Sequence, residues 1–463
     1  MTEKINNKSV SSLTQLHTGV FNIINKPIYI IGDIHGDYQC LLHCLVDLSE
    51  TCNITKLYTD EFNIINREYI EWKKNNNSVL VFCGDMIHRK RFDHILDDEC
   101  SDIYILKTLL RLKKEAQKNN GDILIISGNH EIMNILNIND DAYTSPLNYD
   151  CNQLYFSNTK FIKEYITNSY AWIKINDILI AHGGLCSDYL DYININNKNI
   201  KEIKEIKEIV GFVNDKYRNF FTSENYKLNS TTNNDKIGYD LFVKYDIEHK
   251  KKHNMFWCRE WGYSGINCKD FKNILLKINC KKMIISHCPQ FLSPDFPKMI
   301  NFECIEDDVF NIARIDLGMS RCFEYNKEDK FFYYLSNNYN RKMSLLKLLY
   351  DNDNNLYFNN KSIITKKLSC LQYLLLKYGL TINKWNSFNI KSNWIGFDHL
   401  QELLDSLDKY KDDNYKNLCN SDNKNNIDTL LCLIAQIYSY KINLHSITQF
   451  KDLYKKLDKN LDN

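Results

Sequence analysis

Five short apolar runs in this sequence each lead into side chains that are able to bind a divalent cation. The set comprises Asp33 and His35 in GDIHGD, Asp85 in GDMIHR, Asn129 and His130 in SGNHE, His182 in AHGG, and His287 in SHCPQ. Carboxylate oxygen, amide oxygen and imidazole nitrogen together suit manganese, iron or zinc. No thiolate belongs to the set, which argues against a closed structural zinc site. The residue types therefore predict a site for a pair of divalent cations.

The apolar runs themselves predict the strands that position these ligands. The five runs are PIYIIG, SVLVFCG, DILIISG, DILIAHGG and KKMIISH, and a sixth run, AWIKI, precedes DILIAHGG. Their apolar continuity indicates strands that are buried on both faces. YQCLLHCLVDLSE and SDIYILKTLLRLKKEAQK have helical spacing, and Asn176-Asp177 predicts a tight turn between two antiparallel strands. Strands alternating with helices predict a layered α/β fold, in which ligands collect at the carboxyl ends of the strands. The glycines beside the ligands allow sharp turns and close backbone approach.

We predict three regions along the chain. Residues 1–26 form an N-terminal segment, and residues 27–335 form the α/β domain, interrupted at about 186–255 by an insertion. In that insertion the isoleucines of IKEIKEIKEIV recur every three positions and drift around a helix, which favours a solvated helix followed by a polar loop. Residues 336–463 are predicted to form a helical C-terminal extension that starts with RKMSLLKLLY. This extension either packs against the α/β domain or binds a protein partner.

Composition narrows the class of protein and of partner. The 463 residues carry a formal net charge of +1, so we expect neither nucleic acid nor a membrane as a partner. The 16 cysteines form no CxxC pair, and we interpret them as reduced, mostly buried thiols. No apolar signal segment or membrane-length run is found in the sequence. A soluble, intracellular location is therefore predicted, namely the cytoplasm, or for a viral gene the host cytoplasm or the virion.

The motifs, taken in order, resemble those of a known enzyme family. GDxHG, GDxxxR and GNHE followed by two histidines resemble the phosphoprotein phosphatase family within the calcineurin-like metallophosphoesterases. FWCREWG at 256–262, SHCPQF at 286–291 and IDLGMS at 315–320 are similar to segments of the bacterial-type, Shewanella-like phosphatases. The resemblance covers about residues 27–335 and does not reach the C-terminal extension. It implies a layered β-sandwich core flanked by helices and the activity of a metal-dependent phosphatase.

The same resemblance implies a cofactor of two divalent metal ions, Mn, Fe or Zn. One ion would be held by Asp33, His35 and Asp85. The other would be held by Asp85, Asn129, His182 and His287, with Asp85 bridging the pair. In such a site the two ions share and deprotonate a water, and the bridging hydroxide attacks phosphorus in line.

Further side chains match the family's phosphate-handling groups. Arg89 and Arg259 match its phosphate-binding arginines, whose planar guanidinium groups grip two phosphate oxygens and offset charge in the transition state. Asn129 would also contact the phosphate. His130 would be the general acid that protonates the leaving alkoxide. With Asp85, these residues complete the catalytic set that the resemblance implies.

One position departs from the family pattern. Where the usual motif reads GDxVDRG, this chain reads GDMIHRK, so that His88 replaces the aspartate that orients the proton-donating histidine. Losing such a supporting carboxylate often lowers activity or affinity roughly ten- to a hundredfold. We therefore expect either a weakened or pH-shifted enzyme or a compensating contact to His130. That contact would come from Asp93 or another carboxylate, or from a neutral His88 that accepts its hydrogen bond.

The sequence leaves the substrate open. The leading hypothesis is hydrolysis of phosphoserine, phosphothreonine or phosphotyrosine on protein, and a dinucleoside polyphosphate or another small phosphoester is the alternative. A low-activity binding or scaffold protein derived from a phosphatase is the hypothesis from another class, supported by His88 and the C-terminal extension but opposed by the intact ligand set. A nuclease is less favoured, because the charge balance offers no surface that would follow a phosphate backbone.

Overall fold

The structure is a computed structural model. It describes residues 18–59, 66–88, 101–137, 155–187, 206–223, 236–243, 254–290, 300–306, 309–320 and 341–365. Most of these residues belong to one compact unit, whereas residues 55–59, residues 66–69 and Arg341 belong to a second. Strands β3 (Cys52–Thr59) and β4 (Asn66–Trp72) pair as a separate two-stranded sheet. The candidate ligands all lie in the first unit.

The first large sheet carries three of the ligand-bearing strands. In spatial order it is formed by β14 (Leu356–Thr365), β13 (Arg341–Tyr350), β2 (Ile28–Ile31), β5 (Val79–Phe82), β6 (Asp122–Ile126) and β7 (Ser169–Tyr170). Strands β2, β5, β6 and β7 run parallel, so their carboxyl ends share one edge. Every residue of β2 and β5 is buried, as their unbroken apolar runs predicted.

The second large sheet supplies the remaining ligands. In spatial order it is formed by β1 (Val20–Phe21), β8 (Trp172–Ile175), β9 (Ile178–Ala181), β10 (Lys282–Ile285), β12 (Ile312–Arg314) and β11 (Asn301–Glu303). Strands β9, β10 and β12 run parallel. Strands β8 and β9 form the predicted antiparallel pair, with Asn176 in the turn at φ 52°. Two mixed sheets with helices between their strands confirm the predicted α/β class.

Helices connect and brace the strands. In chain order they are α1 (Tyr38–Leu42), which continues as a π-helix over His43–Leu48, α2 (Ser101–Lys118), α3 (Asn129–Ile135), α4 (Thr159–Asn168), α5 (Ile206–Thr222), α6 (Lys236–Phe242) and α7 (Cys268–Lys277). The first two coincide with the predicted helical patterns. Asp37 caps α1, because its carboxylate accepts the Cys40 N–H at 3.2 Å. None of the helices in the described part of the chain is both long and apolar enough to span a membrane.

The helix prediction for RKMSLLKLLY is wrong. Residues 341–350 form β13, which pairs antiparallel with β2 and extends the first sheet towards β14. Its residues from Met343 to Leu346 are all buried, so both faces of the strand are covered. A run that is apolar on both faces fits a buried strand as well as a buried helix, and periodicity alone does not separate the two. The other predicted C-terminal helices, beyond residue 365, lie outside the described residues.

The structure has a helix in the 186–255 insertion, but the prediction that this helix is solvated is wrong. Helix α5 buries Val213, Tyr217 and Phe220. The buried Asn214 carboxamide accepts the Ala171 N–H at 2.9 Å and donates to the Trp172 carbonyl at 2.8 Å, which ties α5 to the start of β8. The isoleucine repeat runs into the first turn of α5, where Ile209 is buried, and an apolar stripe follows it. The IKE repeat before residue 206 lies outside the described residues.

Four cysteines correct the prediction of reduced thiols. Cys186 pairs with Cys258, and Cys268 pairs with Cys304, as disulfides. The partners are 72 and 36 residues apart in the chain, so neither bond has a recognisable cysteine spacing. Six other described cysteines are buried free thiols, as predicted: Cys40, Cys44, Cys52, Cys83, Cys280 and Cys288.

Candidate metal centre

The ligand-bearing ends of the two large sheets meet. The His182 ring, which follows β9, donates from Nδ1 to the Cys83 carbonyl, which follows β5, at 2.7 Å. Within the first sheet, the backbone N–H of His35 donates to the Asp85 carbonyl at 2.9 Å. Because both sheets present their carboxyl ends here, polar side chains from distant parts of the chain converge in one buried place.

Asp85 lies at the centre of this site. Its Oδ1 accepts the His130 backbone N–H at 3.0 Å. Its Oδ2 lies 3.3 Å from His182 Nε2 and 3.6 Å from His130 Nε2. Burial would raise the pKa of Asp85, but His130, His182 and His35 lower it well below its usual range. The carboxylate is therefore ionised and available to a cation at neutral pH.

Two groups of possible ligands share Asp85. The ligand atoms of His35, Asp85 and His130 all lie within 4.8 Å of one another, as do those of Asp85, His182 and His287. All five residues are buried. Because the Cys83 carbonyl can only accept, His182 donates from Nδ1, and Nε2 is the ring nitrogen that faces the site and is placed to bind a metal.

The other two predicted ligands adjoin these groups. Asn129 Oδ1 lies 2.9 Å from His182 Nε2. Asp33 Oδ2 lies 3.8 Å from His35 Nε2. The structure thus brings all six predicted metal ligands into one site. It also places His130, predicted as the proton donor, among the atoms close enough to contact a cation.

The negative charge in the site fits divalent cations. Asp33 and Asp316 are buried, and one carboxylate oxygen of each accepts no hydrogen bond from the described residues. Burial, Asp316 and Asp85 raise the pKa of Asp33 well above its usual range, and burial together with Asp85 raises the pKa of Asp316 to about 6. Buried carboxylates this close together need compensating positive charge. Oxygen and imidazole donors around them suit a divalent metal.

The backbone is folded tightly around these side chains. A Cβ atom on Gly128 would lie 2.2 Å from Asp85 Oδ1. Four non-glycine residues of the site have left-handed φ angles: His35 at 38°, Asp85 at 49°, His88 at 67° and His287 at 66°. Left-handed backbone is uncommon for such residues and costs of order 1–3 kcal/mol each, so the surrounding contacts must hold it in place.

Glu131 supplies much of that support. Its two carboxylate oxygens accept backbone N–H groups from Gly128 at 2.7 Å, Met86 at 2.8 Å, Asp85 at 3.0 Å and Ile87 at 3.3 Å. Burial and the nearby Asp85 raise the pKa of Glu131 to about 7. One side chain therefore links the start of α3 to the loop after β5 and fixes where Asp85 points.

Arg259 lies at the border of the site. Its Nη1 donates to the Tyr263 hydroxyl at 3.3 Å and contacts Cys288 Sγ at 3.8 Å. Burial lowers the pKa of Arg259, but Cys288, Tyr263 and Asp85 together raise it above the ordinary value. The guanidinium is therefore charged and interacts electrostatically with Asp85 in the metal site. The Trp257 ring beside it packs edge-on against His287, with ring centroids 5.8 Å apart.

Comparison with known proteins agrees with this chemistry. Residues 26–251 match the family model of the calcineurin-like phosphoesterases. The chain carries a calcineurin-like phosphoesterase domain. The matched range includes Asp33, Asp85, Asn129 and His182, whereas His287 lies beyond it.

Individual relatives are distant. Over 168 residues the chain is 30% identical to Shewanella-like protein phosphatase 1 of Plasmodium berghei (strain Anka), covering 35% of this chain and 40% of that relative. It is 16% identical, with a TM-score of 0.47, to the crystal structure of a cold-active protein-tyrosine phosphatase of a psychrophilic Shewanella species, covering 75% of this chain and 82% of that one. A second structure, of a cold-active protein tyrosine phosphatase at 1.1 Å, gives 15% identity and a TM-score of 0.46 over 75% and 82%.

Two predicted residues of the phosphoesterase domain are not described. Arg89 and Asp93 lie outside the described residues, so the role of Arg89 in phosphate binding and that of Asp93 as a support for His130 stay predictions. His88 precedes them directly and is buried, with its Nδ1 2.8 Å from Nδ1 of His130. His88 and His130 are therefore in hydrogen-bond contact, and the tautomers of the two rings decide which of them donates.

Two residues of the site were missed from the sequence. Glu131 belongs to the GNHE motif and Asp316 to the IDLGMS segment, and these motifs indicate the family without indicating a role for either carboxylate. Their buried carboxyl groups contact the loop after β5 and Asp33, respectively. The signal that could have found them is an acidic residue inside an otherwise apolar or glycine-rich motif, where an unpaired charge would be costly.

Proposed function

We propose that this protein is a hydrolase of phosphoesters with two divalent metal ions, and that its substrate is a phosphorylated protein. The observation that carries the proposal is that Asp85 belongs to both buried ligand groups, each with its ligand atoms within 4.8 Å of one another. A carboxylate shared in this way is the arrangement expected of a bridging ligand in a dinuclear site. The identity of the ions, Mn, Fe or Zn, is left to metal analysis.

The residues have distinct proposed roles. Asp33, His35, Asp85, Asn129, His182 and His287 would hold the cations, which when bound would supply an activated water and offset negative charge on the phosphoryl group. Arg259, charged and only half-buried, grips the phosphate from the border of the site, with Arg89 as its proposed partner. His130 Nε2 faces Asp85 and donates a proton to the departing oxygen. Glu131 keeps the loop of Asp85 in place.

Asp85→Asn tests the proposal. The amide keeps the size of the side chain and its acceptor for the His130 N–H but removes the shared charge. We expect fewer bound metal ions by elemental analysis and a loss of roughly a hundredfold or more in the rate on a phosphopeptide with manganese. Asp47→Asn, which removes an exposed carboxylate paired with His43, is the matched control and should behave like the wild type.

The same assay distinguishes the alternatives. Hydrolysis of diadenosine polyphosphate but not of phosphopeptides would replace the protein substrate with a nucleotide. Equal inactivity of the wild type and Asp85→Asn, with metal fully bound to both, would contradict an enzyme and favour a phosphatase-derived binding protein. The predicted cytoplasmic location and the predicted protein partner of the C-terminal extension stay predictions.

A further inference from the structure

Three contacts with other described residues hold His88 in place. Its backbone N–H donates to Asp102 Oδ2 at the start of α2, at 3.0 Å. Its ring lies between two residues of α3: Nδ1 is 2.8 Å from His130 Nδ1, and Nε2 contacts Nδ2 of Asn134. The His88 and His130 rings are nearly perpendicular, at 89°, with centroids 5.0 Å apart. The imidazole is therefore held at the back of the proposed proton donor.

Asn134 decides the direction of these hydrogen bonds. Its Nδ2 also lies 3.2 Å from the His130 backbone carbonyl, which can only accept, so this atom is the amide nitrogen. An amide nitrogen can only donate, so His88 Nε2 must accept and carries no hydrogen. The single hydrogen of a neutral His88 ring is then on Nδ1, which donates it to Nδ1 of His130. His130 accepts there, and its own hydrogen lies on Nε2, the nitrogen 3.6 Å from Asp85 Oδ2.

A carboxylate at position 88 would reverse the direction of the hydrogen bond between residue 88 and His130. It can only accept, so it would require a hydrogen on His130 Nδ1 and would stabilise positive charge on that ring. A neutral His88 imidazole that donates to His130 Nδ1 keeps the His130 ring in the same orientation, but it does not stabilise a positive charge on that ring. His130 still presents an N–H to the departing oxygen, yet it is a weaker donor than an imidazole backed by a carboxylate.

We propose that His88 is a positioning residue that sets the leaving-group preference of this site, making it selective for phosphate esters of phenols, such as phosphotyrosine, over those of alkyl alcohols, such as phosphoserine. The inference rests on the proposed hydrolase function. A phenolate leaves with little protonation, whereas an alkoxide needs a proton in the transition state. The reaction is the same in both cases: the P–O bond to the alcohol breaks, water supplies the new P–O bond, and the departing oxygen takes a proton.

The test compares two peptides of the same flanking sequence, one with phosphotyrosine and one with phosphoserine. For the wild type with manganese, kcat on phosphotyrosine should exceed that on phosphoserine at least about tenfold. His88→Asp should raise kcat on phosphoserine about tenfold or more while changing phosphotyrosine less than about threefold. Asn134→Asp should act in the same direction by another route, because a carboxylate there accepts from His88 Nε2 and frees His88 Nδ1 to accept from His130.

Asn137→Asp is the matched control. It adds the same charge to an exposed position three residues further along and should leave the ratio of the two rates unchanged. A readout independent of turnover is the nitrogen-15 spectrum of metal-free protein with labelled histidine rings. His130 should show an unprotonated Nδ1 and a protonated Nε2 in the wild type, and a protonated Nδ1 in His88→Asp. Signals of His130 are identified by their loss in His130→Gln.

Failure of the inference and failure of the proposed function give different results. Equal rates on the two peptides, or His88→Asp changing both rates alike, would overturn the role of His88 and leave the hydrolase intact. A protonated Nδ1 on wild-type His130 would also overturn it. Hydrolysis of neither peptide by a metal-loaded wild type would refute the proposed function itself.

Discussion

At the scale of single residues, the position of Asp85 depends on the absence of a side chain at residue 128. A Cβ atom there would lie 2.2 Å from Asp85 Oδ1 and 2.4 Å from the Asp85 backbone nitrogen. Gly128 has a φ of −98°, which any residue can adopt, so the requirement for glycine is purely steric. The close approach lets Glu131 reach both Gly128 and the loop after β5.

Gly128→Ala should therefore displace Asp85 and disable the metal site. We expect loss of bound metal by elemental analysis and a fall of roughly a hundredfold in kcat, because small displacements of reacting groups have effects of this size. Gly211→Ala is the matched control: its Cβ would meet nothing closer than 3.6 Å, and α5 gains about 0.5–1 kcal/mol from alanine. Full metal content in Gly128→Ala would contradict the steric role.

Individual ligands were predictable because their signal is local. An apolar run that ends in Gly-Asp or Gly-Asn-His fixes both the strand and the place of the ligand on it, as for Asp85 and Asn129. The support of those ligands was not predictable in the same way. Glu131 acts on backbone groups more than 40 residues earlier in the chain, and the donor direction of His88 depends on an amide of α3.

At the scale of elements, the loop that carries Arg259 is held from several sides. The Cys186–Cys258 disulfide joins it to the segment after β9, which carries His182. Trp261 Nε1 donates to the Leu185 carbonyl at 2.8 Å. Arg314 at the end of β12 donates to the Trp261 carbonyl at 2.6 Å. The arginine of this loop and the ligand after β9 are thus linked covalently and by hydrogen bonds.

Cys186→Ser should affect both stability and phosphate binding. Releasing a link across 72 residues costs about 3–4 kcal/mol of stability, and a looser Arg259 should weaken inhibition by inorganic phosphate about tenfold. Cys268→Ser removes the other disulfide, across 36 residues, and should cost similar stability while changing phosphate inhibition little. If the two variants weaken phosphate inhibition equally, the Cys186–Cys258 bond has no special part in holding Arg259.

Secondary-structure elements were predicted correctly where the length and residue types of a segment allowed only a strand or only a helix. The strands β2, β5 and β6 are short and β-branched, and α2 is too long for a strand, so each had one interpretation. Strand β13 did not, because its apolar residues are buried on both faces of the strand, and such a pattern fits either class. The burial of helix α5 was not predicted because the regular IKE repeat, which runs into its first turn, concealed the stripe formed by Val213, Tyr217 and Phe220.

At the scale of the whole molecule, the buried carboxylates of the metal site lower the stability of the folded protein when no cation is bound. The pKa of Asp316 rises from 3.8 to about 6 on folding because the group is buried and faces Asp85. A carboxyl group with a raised pKa in the folded state binds more protons there than in the unfolded chain. Its contribution to stability is therefore present below about pH 4 and is lost as the pH rises through about 6.

Asp316→Asn should remove this pH dependence from the metal-free protein. A shift of roughly two pKa units corresponds to about 3 kcal/mol, so the variant should gain about that much relative to the wild type between pH 4 and pH 7.5. Chemical denaturation of chelator-treated protein measures the difference. Manganese should abolish the advantage at pH 7.5, because the cations offset the charge in the wild type. A difference between the two proteins that stays constant with pH would rule out this role for Asp316.

The left-handed backbone at His35, Asp85, His88 and His287 has a consequence for how this protein would change under selection. Glycine or asparagine relieves that backbone at each position, so a library sorted for thermal tolerance alone would accumulate those residues there. The selected variants would be more stable but would lack an active metal site. Residues that a stability screen tends to replace, and an activity screen restores, thus mark the reaction site of this chain without any knowledge of its substrate.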